Sequence, residues 1–130
     1  MFDYEEYKLV GDLLAQIEME CYQRSAISRY YYALFNPVRS YLIFVLNEFD
    51  FIRGADFHKR ICNRLMQSND DTEKALGLIL DELRQLRNDA DYNWNLNSSY
   101  FEESLKDVKS NIELGFDYLN ALRNSPPLEL

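Results

Sequence analysis

The sequence predicts an all-α fold, a bundle of four long helices and one short helix. Apolar residues recur at alternating three- and four-residue spacings over long stretches, which is the period of an amphipathic helix. No stretch alternates apolar and polar residues in the way that is typical of a half-buried strand. With 130 residues, 47% of them hydrophobic, the chain fits one domain with a filled core.

The first three helices follow from this periodicity and from local breakers. Residues 3–21 are predicted to form a one-sided helix with acidic groups on its other face. Residues 25–51 are apolar nearly all round, which predicts the central helix, and Pro37 is expected to kink it or to remove a hydrogen bond. Asp56 is the predicted N-cap of a short helix that ends near Met66. The stripe of the first helix consists of Tyr7, Val10, Leu14, Ile17 and Cys21.

The last two helices are separated by a turn rich in asparagine and serine, at residues 93–99. The fourth helix is predicted over residues 72–92, after the loop and cap SNDD. Ser99, with Glu102 three residues later, is a capping-box signature for the fifth helix. The stripe of that helix consists of Phe101, Leu105, Val108, Ile112, Gly115, Leu119 and Leu122.

Chain organisation and compartment follow from the remaining composition. Residues 1–124 are predicted to form a single helical domain and residues 125–130 a disordered C-terminal tail. The most apolar window, residues 30–46, is interrupted by polar residues and a proline, so we expect no signal peptide and no membrane span. Cys21 and Cys62 lack metal-ligand spacing, which predicts two free, buried thiols in a cytoplasmic protein without metal or cofactor.

The net charge of −8 argues against simple nucleic-acid binding, because an acidic surface repels phosphate. The charge is uneven, however. Residues 1–23 carry one base and six acids, residues 24–64 seven bases and three acids, and residues 65–130 six bases and thirteen acids. The middle segment therefore either forms a local basic surface or distributes its arginines over solvated helix faces.

The segment LRQLRNDADY, residues 83–92, places an arginine on the apolar stripe of the fourth helix. A buried charge is costly unless it is paired or reaches water. Arg87 therefore either pairs with a carboxylate such as Asp91, four residues later, or lines a cleft or a subunit interface. Arg84 can share this face, and an intrahelical ion-pair ladder without function is the alternative. The stripe is Leu76, Leu80, Leu83, Arg87 and Ala90.

Three segments, in this order along the chain, resemble HEPN domains. SAISRYYYALFNPVRSYLI at residues 25–43 resembles the second-helix signature of that family. FHKRICNRL at residues 57–65 is similar to the short middle segment of one branch, and LRQLRNDADY resembles the R-x-x-A-D-Y signature of the same branch. The resemblance covers about residues 5–122 and implies a HEPN-like helical bundle that dimerises.

Many HEPN domains are metal-independent ribonucleases of toxin–antitoxin, CRISPR and antiviral systems, and others are non-catalytic partners of small nucleotidyltransferases. Their ribonuclease motif has an arginine, a polar residue and, a few positions later, a histidine. Arg87 and Asn88 match its start, whereas Tyr92 occupies the histidine position. The resemblance implies catalytic positions at Arg87, Asn88 and Tyr92. His58, the one histidine of the chain, lies on another predicted helix and is the candidate to replace the missing one.

The chemistry of metal-free RNA cleavage explains why this departure matters. The 2′-hydroxyl attacks the neighbouring phosphate, so a base must accept its proton and a cation must stabilise the charge that develops on the phosphate. Arginine suits the second role. Tyrosine, with an unperturbed pKa of about 10, does not suit the first, and Asp89 or Asp91 would need a raised pKa. Candidate binding residues are Arg84, Asp91 and Arg29.

The sequence favours a degenerate HEPN module of a prokaryotic toxin–antitoxin or antiviral defence system. This module is expected to be a homodimer that binds RNA, a nucleotide or a protein partner, such as a nucleotidyltransferase, without cleaving RNA. One alternative is an active metal-independent endoribonuclease that uses Arg87 with His58 or with a carboxylate. The second alternative is a structural helical adaptor.

Overall fold

The fold is all-α, as the sequence predicts. The structure, a computed structural model, describes residues 5–124 without the side chain of Glu5, so the predicted tail, residues 125–130, lies outside the described residues. Among residues 5–124 all regular secondary structure is helical. The elements are α1 (Glu5–Ala15), α2 (Glu20–Ser40) continued by a π-helical turn (Tyr41–Val45), a 3-10 turn (Phe49–Phe51), α3 (Phe57–Met66), α4 (Asp71–Tyr92) and α5 (Ser98–Asn124).

Helix α2 is central, because α1, α4 and α5 all pack against it, while α3 packs on α4. This arrangement agrees with the prediction from its nearly continuous apolar sequence. The core is filled by large side chains of α2 together with apolar side chains of α3, α4 and α5. No helix among residues 5–124 combines the length and the apolar character that a membrane crossing requires. Fully buried side chains include Tyr30, Tyr31, Phe35, Ile61, Leu65, Leu76, Leu80, Leu83 and Phe101.

The boundary between the first two helices differs from the prediction. Helix α1 ends at Ala15 and α2 begins at Glu20, instead of at the predicted residues 21 and 25. The chain turns between them, with the Ile17 amide donating to the Leu14 carbonyl at 3.1 Å, and α1 then packs on α2. The apolar spacing continues through this turn by coincidence, because Ile17 is partly exposed and Cys21 lies exposed on α2. The prediction of a buried Cys21 is therefore wrong, whereas Cys62 is buried.

Helix α2 also ends earlier than the predicted residue 51. Pro37 lies inside the helix and has no N–H to donate, and the regular α-helix gives way to the π-helical turn at Tyr41. The amide of Glu48 then bonds to the Leu42 carbonyl at 2.9 Å, which closes the helix before the 3-10 turn.

Of the three predicted helix N-caps, one is confirmed, and the other two helices begin in a different way from the prediction. Asp70 caps α4 as expected, because its Oδ1 accepts a hydrogen bond from the Glu73 amide at 2.9 Å. Asp56 precedes α3, but its backbone is left-handed (φ 55°) and its side chain makes no capping bond. Ser99 lies inside α5 rather than at its N-cap. The Tyr100 amide bonds instead to Asn97 Oδ1 at 3.2 Å.

Helices α3 and α4 approach each other closely at Gly77. A Cβ there would lie 2.8 Å from both the Leu65 Cβ and the Met66 backbone nitrogen, which belong to a helix that cannot shift cheaply. We expect Gly77→Ala to lower the free energy of unfolding by about 1–3 kcal/mol. Gly115→Ala is the matched comparison: its Cβ would lie 2.5 Å from Leu34 Cδ2 and 3.5 Å from Ile79 Cγ2, which are ends of side chains that can rotate, whereas the atoms at Gly77 are fixed to the backbone of α3. Urea unfolding measures both variants, and an equal or larger loss in Gly115→Ala would contradict this packing.

Candidate functional site

Arg87 lies on the buried stripe of α4, as its position in the sequence predicts. All five stripe residues are buried, and Arg87 itself is 9% exposed. Its Nη1 is 3.6 Å from Asp91 Oδ2, which makes an ion pair but exceeds hydrogen-bond distance. Its Nε is the one buried side-chain nitrogen or oxygen among the described residues that has no hydrogen-bond partner. Arg87 is thus buried with a guanidinium that is incompletely paired.

Two tyrosine rings of α2 contact the Arg87 guanidinium. Its Cζ lies 5.2 Å from the ring centroid of Tyr31 and 5.6 Å from that of Tyr32. Cation–π contacts of this length stabilise a partly desolvated guanidinium but leave its N–H donors unused. The geometry therefore holds the charge in place while keeping donor capacity free.

The fold brings His58 to the same two tyrosines. The His58 ring stacks on Phe35 at 4.1 Å and on Phe57 at 4.5 Å, and its Nδ1 is 2.7 Å from the Tyr31 hydroxyl. Tyr31 therefore contacts both Arg87 and His58, which lie on different helices. The sequence did not determine whether His58 lies near Arg87, and in the structure both contact Tyr31.

Three arginines surround the His58 imidazole and affect its protonation. Burial, followed by the charges of Arg87, Arg39 and Arg84, lowers the pKa of His58 from 6.5 to about 4. The imidazole is consequently neutral at pH 7. Burial raises the pKa of Tyr31, so its phenol keeps its proton. We assign the Tyr31 hydroxyl as the donor to Nδ1, which places the imidazole proton on Nε2.

The partners of Arg84 and Arg39 differ from those of Arg87. Arg84 bonds to Asp81 through Nε and Nη2, at 3.1 and 2.9 Å, rather than to Asp91. Arg39 donates to the carbonyls of Phe51 and Ile52 at 2.8 and 2.7 Å. Both remain close enough to His58 to affect its pKa. We refer to His58, Arg39, Arg84 and Arg87 as the arginine–histidine cluster.

The other predicted site residues lie outside this cluster or at its edge. Tyr92, at the histidine position of the motif, is 73% exposed at the end of α4. Asn88 is half-buried on α4. Arg29 faces α1 instead, with its Cζ 5.5 Å from the Tyr7 ring centroid. Asp89, considered as a base, accepts a hydrogen bond from the Tyr100 hydroxyl at 3.1 Å.

The basic middle segment presents only part of its positive charge to solvent. Arg24 shows why, because it donates to the carbonyls of Asp89, Ala90 and Leu96 at 2.9–3.2 Å and lies 4.3 Å from the Phe101 ring centroid. It thereby fixes the C-terminal end of α4. Side chains bonded to carbonyls or carboxylates in this way are Arg24, Arg39, Arg60 and Arg64.

Residue-based reasoning did not single out Tyr31, Tyr32 or Arg39 as site residues. All three lie within the segment SRYYYALFNPVRS, which carries the resemblance to the HEPN second helix. The sequence did contain one signal for these residues, the run of consecutive tyrosines on the central helix. Successive residues of a helix point in different directions, so such a run can present tyrosines to more than one neighbouring helix. Their contact with Arg87 depends on the packing of α2 on α4, which spacing alone does not specify.

Comparison of the chain with protein-family models, with curated proteins and with solved structures finds no match. The resemblance to HEPN domains therefore rests on the three sequence segments, and the family assignment stays a prediction.

The lowered pKa of His58 predicts a loss of stability in acid. A histidine with a folded-state pKa of about 4 and an ordinary value of 6.5 contributes its full stability above pH 6.5. That contribution is lost as the pH falls from 6.5 to 4. We expect a decrease of about 1–2 kcal/mol in the free energy of unfolding, after allowance for the half-exposed ring.

Carboxylates titrate in part of the same range, so the measurement is the difference between the wild type and His58→Phe. The phenylalanine ring keeps the stacking on Phe35 and Phe57 but takes up no proton. Urea unfolding between pH 4 and pH 7.5 should show a shallower pH dependence in the variant. Equal slopes for the two proteins would show that His58 is not held neutral by its surroundings.

Proposed function

We propose that this chain is a HEPN-type module of a prokaryotic toxin–antitoxin or antiviral defence system. In this proposal it acts as a homodimer that binds RNA, a nucleotide or a protein partner through the face around Arg87, and it does not cleave RNA. One observation carries the proposal: Arg87 is buried on an apolar stripe, and its buried Nε has no hydrogen-bond partner. A guanidinium held for structure alone would be expected to have its donors satisfied.

Two features support binding without cleavage. A general base must present a lone pair to the 2′-hydroxyl. The neutral His58 imidazole has its Nδ1 lone pair occupied by the Tyr31 hydroxyl in the assigned tautomer, so its Nε2 is a donor. Tyr92, which stands at the histidine position of the motif, lies exposed at the end of α4.

Exposed apolar side chains support the homodimer. Phe44 is 75% exposed and Trp94 84% exposed, and large apolar groups of this exposure are typical of protein interaction surfaces. A module of 15.5 kDa with such groups is expected to associate with a second copy.

One observation favours the ribonuclease alternative. His58 and Arg87 both contact Tyr31, and an imidazole together with a guanidinium is the pair of groups that metal-independent cleavage uses. If substrate binding released His58 from Tyr31, Nδ1 would become available as a base. This second candidate is tested by the same experiment as the first.

We expect the purified protein to have twice the 15.5 kDa monomer mass in light scattering and to bind single-stranded RNA without shortening it. Binding is measured by fluorescence anisotropy, and the RNA is then examined on a denaturing gel, with and without EDTA. EDTA-insensitive cleavage that falls by about two to four orders of magnitude in His58→Ala would establish the ribonuclease instead. A monomer that neither binds nor cleaves RNA, at any concentration up to the micromolar range, would contradict an RNA-binding dimer.

A further inference from the structure

The arginine–histidine cluster has an excess of positive charge. Its three guanidinium groups face two carboxylates, those of Asp81 and Asp91, and the imidazole is neutral. Arg84 is satisfied by Asp81, whereas Arg87 keeps a buried Nε without a partner. The His58 Nε2–H is a further donor in the assigned tautomer. An unpaired donor and an excess cation in one place are the features that bind an oxyanion.

We propose that the cluster binds a phosphoryl oxyanion and that binding places a proton on His58. This inference rests on the proposed function, since it specifies the ligand chemistry and the regulation of the same face. The proton comes from solvent and enters at Nδ1, the nitrogen that accepts the Tyr31 hydrogen bond in the assigned tautomer. The Tyr31 hydroxyl then accepts from Nδ1–H, and Nε2–H donates to the oxyanion.

The physical basis of the coupling is the charge around His58. The arginines and burial oppose protonation of His58, and an anion among the arginines offsets their charge. Burial raises the pKa of Tyr31, and raises that of Cys62 to about 12, so neither group exchanges a proton between pH 5 and 8. His58 is therefore the group of the cluster that responds. Tyr31 and Tyr32 from α2 contact the His58 ring, and the charges that act on it are those of Arg39 from α2 and Arg84 and Arg87 from α4. Asp81 and Asp91 of α4 pair with Arg84 and Arg87, and Cys62 of α3 bonds to Arg84.

The sign of the pH dependence follows from this coupling. Because the anion raises the pKa of His58, the complex holds more protons than the free protein, and affinity rises as the pH falls. Each unit by which the anion raises that pKa strengthens binding about tenfold at low pH. A phosphoryl group can come from the terminal phosphate of a nucleotide or from the backbone of RNA, and both offer the same oxygens.

Sulfate is the first probe, because it has the shape of phosphate but keeps two charges throughout the pH range in which His58 titrates. His58 is the single histidine of the chain, so its ring protons give one set of NMR resonances whose shift follows its protonation. We expect saturating sulfate, compared with sodium chloride at equal ionic strength, to raise the midpoint of this titration by about one pH unit or more. Arg87→Met should abolish the increase, and Arg123→Met, an exposed arginine on α5, should leave it unchanged.

A midpoint that sulfate, a nucleoside 5′-monophosphate and single-stranded RNA all leave unchanged would overturn the inference. A change with the monophosphate identifies a terminal phosphate as the ligand, and a change with RNA alone identifies the backbone, and both outcomes support it. The experiments distinguish a failure of this inference from a failure of the proposed function. RNA binding that depends on Arg87 but leaves the His58 midpoint unchanged refutes only the proton coupling, whereas a sulfate-dependent midpoint without RNA binding refutes only RNA as the ligand.

Discussion

Arg64→Ala is expected to lower the free energy of unfolding by about 2–4 kcal/mol. Arg64 donates from Nε and Nη2 to both carboxylate oxygens of Glu48, each at 2.7 Å, and from Nη1 to Glu73. These bonds join the end of α2 to α3 and α4. Because the Glu73 side chain is 10% exposed, removal of the arginine leaves a buried carboxylate without its cation. The estimate lies below the full cost for a buried pair because the Arg64 side chain is 27% exposed.

Glu73→Gln in the Arg64→Ala background is the informative second variant. The neutral amide removes the uncompensated charge, so we expect the double variant to recover part of the lost stability in urea unfolding. Lys106→Ala is the surface control, since Lys106 and Glu103 are both largely exposed, and it should change stability by less than about 0.5 kcal/mol. Equal effects of Arg64→Ala and Lys106→Ala would show that the pair with Glu73 carries no special weight.

Helical periodicity was sufficient to predict the fold class and the ends of α4. The stripe from Leu76 to Ala90 is buried as a unit, and Asp70 caps the helix. Periodicity failed at the end of α1, where apolar spacing continues through a turn whose position is set by packing on α2. It also failed at Tyr41, where a π-helical turn replaces α-helix after Pro37, because local propensity does not distinguish these two helix types.

The candidate site was predictable only in part. The position of Arg87 on the stripe predicted its burial, and the four-residue spacing predicted its ion pair with Asp91. The approach of His58 was not predictable from spacing, because it lies on α3 and reaches Arg87 through Tyr31 of α2. Contacts of this kind depend on how helices cross, and the sequence pattern of each helix contains no such information.

The stability of Arg87 variants follows from the incomplete pairing of this side chain. An unsatisfied buried N–H costs about 1–3 kcal/mol. The contacts with the two tyrosine rings contribute about 0.5–2 kcal/mol, and the partly exposed pair with Asp91 contributes about 1 kcal/mol or less. These contributions nearly cancel. Arg87→Met, which fills the stripe with an apolar chain, is therefore expected to leave the free energy of unfolding unchanged within about 1 kcal/mol, or to raise it.

The same variant is expected to weaken binding of single-stranded RNA by about tenfold to a hundredfold, because charge-assisted hydrogen bonds to a phosphate are lost. Arg123→Met controls for the removal of one positive charge from the protein, and it should reduce binding far less. Both variants are compared at one fixed salt concentration, since phosphate contacts depend strongly on salt.

The most direct test of the claim that Arg87 serves binding rather than stability is to measure unfolding and RNA affinity on one preparation of Arg87→Met. We expect a free energy of unfolding equal to or above that of the wild type, together with the loss of RNA affinity. A variant that loses about 3 kcal/mol or more of stability while it binds RNA as the wild type does would contradict the account, because Arg87 would then be a structural residue.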